Sequence, residues 1–141
     1  MSEGEHRGAH DWFAKADTDL TSARMLADLL GPPETICFLA QQGAEKYLKG
    51  YLVWRGVSFR KVHDMLEILN VCRSVEETFG QLEGDCQALN PYAVEVRYPG
   101  FATSYNDEDA HDALERAERI RRFVRERLGL DKETEATLGE E

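Results

Sequence analysis

Apolar positions along this chain recur every three or four residues, and no run reads as a strand. Phe13, Ala16, Leu20, Ala23, Ala27 and Leu30 form one stripe and predict a first helix over residues 11–30. Gly31-Pro32-Pro33 stops it. A second helix follows over 33–55, with Pro33 in the first turn, where its missing N–H costs nothing. It carries two stripes, Ile36, Ala40, Ala44, Tyr47, Tyr51 and Trp54 beside Cys37, Leu48 and Leu52. That is more apolar surface than a helix lying on the outside of a domain presents. So short a link folds the pair into an antiparallel hairpin.

Gly56 ends the second helix in the usual glycine position, and a loop at 57–63 leads to a third helix over 64–78. Asp64 caps that helix, with Glu67 three residues on. Its apolar side is Met65, Leu66, Ile68, Leu69 and Cys72. A fourth helix over 81–93 is weaker, because Asn90-Pro91 breaks or kinks it near Ala88. An irregular loop spans 97–105. The last helix starts at Asn106 or Asp107 and runs to Leu128. Acids crowd its first turns and arginines its last, which complements the helix dipole. The pattern therefore predicts an all-α, five-helix, up-and-down bundle. Residues 1–10 read as a disordered N-terminus, 11–130 as the domain and 131–141 as an acidic disordered tail.

Length and composition sharpen this. A chain of 141 residues fits one domain, which at this size buries roughly 68–70% of its unfolded surface without staples. Cys37, Cys72 and Cys86 are far apart and form no CxxC, which suits a reducing cytosol better than a disulfide framework. No N-terminal apolar run suggests a signal peptide, and no segment approaches a membrane span; a cytoplasmic protein is expected. The net charge of -10 is uneven. The tail is acidic, and residues 74–96 hold five acids and no Lys or Arg. Residues 46–73 carry six cations against Asp64 and Glu67. The acidity excludes a general nucleic-acid coat protein and leaves room for a local basic site.

The candidate chemistry gathers in three places. On the second helix, Gln41/Glu45, Gln42/Lys46 and Glu45/Lys49 are i,i+4 pairs. Lys49 reads as a surface pair. Gln41, Gln42 and Lys46 read equally as surface pairs or as groups drawn into a seam, where they need partners. His63-Asp64 opens the third helix, either as the Asp64 cap with His63 a plain loop residue or, with Arg60 and Lys61, as a cationic loop suited to phosphate. Arg97-Tyr98, after Asn90-Pro91-Tyr92, suits ring stacking and phosphate contact; a pairing of Arg97 with Asp109 is the alternative. The arginines of the last helix, interleaved with Glu115, Glu118 and Glu126, read as a solvated face. There is no GxGxxG, P-loop, HExxH, CxxC or GxSxG, and His6, His10, His63 and His111 lack a ligand spacing, so no metal or cofactor is expected.

Trp12–Leu26, the run QQGAEKYLKGYL (Gln41–Leu52), His63-Asp64, Arg97-Tyr98-Pro99 and Asp109-Ala110 with Ala117 together resemble the HEPN family of small helical domains, over roughly residues 11–128. The resemblance implies a helical bundle that commonly dimerises and works beside a minimal nucleotidyltransferase, in modules like toxin–antitoxin pairs. It also implies similarity to the helical substrate-binding domain of antibiotic nucleotidyltransferases, and binding of nucleotide-like ligands. Many members are metal-independent ribonucleases with an Arg, four to six residues, then a His. No Arg here has a His at that spacing. The expectation is a non-catalytic, homodimeric HEPN protein that partners a nucleotidyltransferase and binds nucleotide or the partner's substrate. Arg97, Tyr98, Tyr92, Lys46 and Gln42 are the candidate site, with Arg60 and His63 behind them. A ribonuclease toxin with an altered site, acting on RNA, and a purely structural dimer are the alternatives.

Overall fold

A computed structural model of the chain describes residues 3–95 and 105–130. Among them there are helices and turns and no strand. Helices α1 (Glu3–Asp28) and α2 (Pro33–Trp54) form the expected hairpin. Helix α3 (Met65–Val75) crosses α2, and α6 (Asp107–Leu128) closes the bundle. Between them lie a 3-10 segment (Glu77–Leu82), α4 (Glu83–Leu89) and the single turn α5 (Tyr92–Glu95).

Helix α2 is the axis of the molecule. Its buried residues include Tyr47, Leu48, Tyr51 and Leu52, and also Gln41, Glu45 and Lys49. Helix α1 packs against it at very short range, because glycines face α1 seven residues apart. A Cβ on Gly43 would lie 2.6 Å from Leu20 Cγ, and one on Gly50 would lie 2.4 Å from Phe13 Cε1. Helix α6 runs antiparallel to α1, with Arg24 paired to Glu118 and Arg121 Nε 2.9 Å from Asp17 Oδ1.

Three boundaries depart from the sequence reading. Helix α1 begins at Glu3, so the segment expected to be disordered up to residue 10 is helical from residue 3. Tertiary packing outweighs the weak propensity of Gly4, Gly8 and the histidines there. His6 stacks on Trp54 at 3.7 Å, His10 meets the same ring edge-on, and Ala9 is fully buried. Helix α3 stops at Val75 rather than 78. Glu76 is extended, at φ -147°, while its carboxylate takes bonds from Tyr51, Arg55 and Thr78. The fourth helix is three pieces. Asn90-Pro91 does end α4, and Asn90 turns its side chain to the Met65 N–H at 3.0 Å. The acidic tail, 131–141, lies outside the described residues.

Two caps hold helix starts, the first of them expected from the sequence. The Asp64 side chain accepts from Leu66 and Glu67 N–H at the start of α3. Asn106 and Asp109 form a reciprocal capping box at the start of α6.

Candidate functional site

One row along α2 carries a continuous polar network inside an apolar helix. The Gln42 amide donates to Gln41 Oε1 at 2.7 Å, and Gln41 donates to Glu45 Oε1 at 3.2 Å. Lys49 donates to Glu45 Oε2 at 3.2 Å. His63, from the loop before α3, brings Nδ1 to 3.2 and 3.3 Å from the same carboxylate. A carboxylate accepts, so Nδ1 is the donor in this contact, and Nε2 has no partner among the described residues. Glu45 is 3% exposed and Lys49 6%, so the ion pair is withdrawn from water. Charges buried this far persist only when paired and hydrogen-bonded, and Glu45 meets that demand with three side-chain donors.

Lys49 sits at the edge of a hollow of about 610 Å³, lined by Trp12, Lys49, Val53, Val57, Ser58, Phe59, Lys61 and His63. The Lys49 ammonium is 5.8 Å from the Trp12 ring centroid and 6.0 Å from that of Phe59. The two rings meet at 67°, centroids 6.4 Å apart. Apolar walls with a few convergent cations are the composition of a small-molecule site.

The sequence-expected residues fall in four places. His63 and Gln42 join the network around Glu45. Lys46 is bound to Asp19 of α1, away from the Glu45 row. Tyr92 packs edge-on against Tyr105 at 4.9 Å, and burial pushes its phenol up to about 12. Arg60 pairs with Glu67 at 3.3 Å on the surface. Arg97 and Tyr98 lie outside the described residues.

The surface reading of Lys49 is overturned by its burial, since Trp12 and Phe59 cover it where the helical pattern of α2 alone shows no cover. Sequence reasoning also misses Trp12 and Phe59 as walls of the hollow. Trp12 stands one position off the α1 stripe, on an otherwise polar face, and Phe59 is the aromatic of a short cationic loop; those are the signals that could find them.

Other chemistry falls away. Burial pushes the Cys37 and Cys86 thiols up to about 12 and the Cys72 thiol higher still, so none is a thiolate nucleophile at neutral pH. Among the described residues, no cluster of three His, Cys, Asp or Glu is placed to hold a metal, and no helix is long and apolar enough to cross a membrane.

A family model described as the HEPN domain matches residues 9–127. Two solved structures are similar over most of their length. TT1696 from Thermus thermophilus is 31% identical with a TM-score of 0.71, covering 84% of this chain and 96% of that one. ST0689, an archaeal HEPN homologue, is 28% identical with a TM-score of 0.68 and the same coverage. No curated protein matches the chain.

Proposed function

The chain belongs to the HEPN family, and on that premise we propose that it is a non-catalytic, homodimeric binding protein. It works with a separately encoded minimal nucleotidyltransferase, in a toxin–antitoxin-like module, and holds a nucleotide or the partner's substrate in the hollow beside Lys49. The observation that carries the ligand part is Lys49 itself. A nearly buried ammonium has three donors, and here it has one acceptor among the described residues, at the wall of an open aromatic hollow. The absence of an Arg-to-His spacing of four to six residues supports binding over cleavage.

The test is assembly. A short nucleotidyltransferase reading frame is expected beside this gene, and the two products are expected to co-elute from size exclusion as a complex containing two copies of this chain. A monomer that ignores that partner overturns the reading.

A second reading, a metal-independent ribonuclease with an altered site, draws on one contact. Glu45 holds His63 by Nδ1 and leaves Nε2 for proton transfer, with the Lys49 cation on the same carboxylate. Cleavage of RNA in the presence of chelator, lost in His63→Ala, would establish it in place of the first.

A further inference from the structure

The shape and charge of the hollow restrict its ligand further than nucleotide binding in general. Trp12 and Phe59 meet at 67°, which makes a corner rather than a slot. One planar ring fits there, face to one side chain and edge to the other, with Val53 and Val57 completing the apolar wall. Lys49 Nζ lies nearly equidistant from both ring centroids, so an anion that reaches it sits at the base of the corner. The site thus has room for one ring and one anionic head.

Charge sets which head. Lys49 and Lys61 are the two lysines that line the hollow, and the Glu45 carboxylate is already paired with Lys49. Lys61 is exposed and has no acceptor among the described residues. The nearby Arg60 is already paired with Glu67. A phosphate monoester carries about -1.5 to -2 at neutral pH, the smallest excess over these cations that a nucleotide's phosphate brings. A triphosphate brings more negative charge than the hollow has cations, and the chain as a whole is strongly acidic.

We propose that the hollow selects a nucleoside 5′-monophosphate, with its base in the Trp12–Phe59 corner and its phosphate on Lys49 and Lys61. The proposal rests on the nucleotide-binding part of the reading above. Neutral nucleosides lose the charge contacts, free phosphate loses the ring contact, and the triphosphate is repelled.

Calorimetric titration of the full chain with AMP, adenosine, inorganic phosphate and ATP, without divalent metal, tests it. AMP is expected to bind at least about tenfold more tightly than each of the other three. Lys61→Gln, a surface change that leaves the Glu45–Lys49 pair intact, is expected to weaken AMP about fivefold or more and leave adenosine unchanged. ATP binding as tightly as AMP, or an unchanged AMP affinity in Lys61→Gln, overturns the proposal and leaves nucleotide binding standing. Failure of AMP, ATP and adenosine together removes the nucleotide reading as well, while partner assembly is judged by its own co-elution experiment.

Discussion

Lys49 Nζ and His63 Nδ1 each lie 3.2 Å from the same atom, Glu45 Oε2. One buried carboxylate thereby ties the core helix α2 to the loop before α3. The tie fixes the side of the hollow opposite α1, and it explains why polar groups are tolerated on a helix whose neighbours are almost all apolar.

Removing the shared acceptor strands the ammonium. Glu45→Ala leaves Lys49 6% exposed with no counter-ion on its own helix, and breaking a buried pair in this way costs about 3–5 kcal/mol. The double variant Glu45→Ala/Lys49→Met removes both charges, and it is expected to recover a large part of that loss. Urea denaturation of the two single variants and the double variant gives the coupling; additive losses would show that the pair acts independently.

The α1–α2 contact makes a prediction with an internal control. An added methyl at Gly43 meets Leu20 Cγ at 2.6 Å and the Ala16 carbonyl at 3.2 Å, and Leu20 is fully buried in the core. Gly43→Ala is expected to destabilise by about 1–3 kcal/mol through overpacking, against the helix propensity gain. Gly84 in α4 has nothing within 4 Å of the same methyl, so Gly84→Ala is expected to stabilise by about 0.5–1 kcal/mol. Thermal melts of opposite sign check the pair.

The helices are readable from the sequence because each signal is local. The stripe from Phe13 to Ala23, Pro33 at a first turn and the Asp64 cap all act within one or two turns. The start of α1 is not readable, because His6 and His10 are held by Trp54 from another helix. The end of α3 depends on Glu76 reaching Tyr51 and Arg55, also from the region of α2. The site divides the same way. The i,i+4 spacing reveals the polar row, and it does not tell Lys46, which turns to Asp19, from Lys49, which turns under Trp12 and Phe59.

Two helix ends close by the same hydrogen-bond pattern with different residues at its centre. After α2, Gly56 takes φ 69°, Gly56 N–H bonds Val53 O and Val57 N–H bonds Leu52 O. After α1, Leu30 takes φ 54° with the equivalent bonds, Leu30 to Ala27 and Gly31 to Leu26. The leucine accepts a left-handed backbone that costs a residue with a Cβ about 1–2 kcal/mol, and its side chain is 81% exposed, so no packing offsets the strain. Leu30→Gly is expected to raise stability by about 1 kcal/mol, read as a higher urea midpoint at unchanged slope. A loss of stability would mean that the exposed leucine is held by contacts in an assembly.

Glu76 gives the fold an acid-sensitive point. Burial alone would raise its pKa, but bonds from Tyr51, Arg55 and Thr78 and the Arg127 guanidinium outweigh that and bring it below the ordinary value of 4.5. A carboxylate depressed in the folded state contributes stability above its unfolded pKa and loses it as pH falls through the folded one. The stability difference between wild type and Glu76→Gln is therefore expected to be largest near neutral pH and constant down to the unfolded glutamate range. It should then shrink as acid protonates Glu76 in the folded protein. Urea midpoints at pH 7, 5, 4 and 3 measure this. A difference that stays constant to pH 3 would show that the four donors hold Glu76 no more tightly than water does.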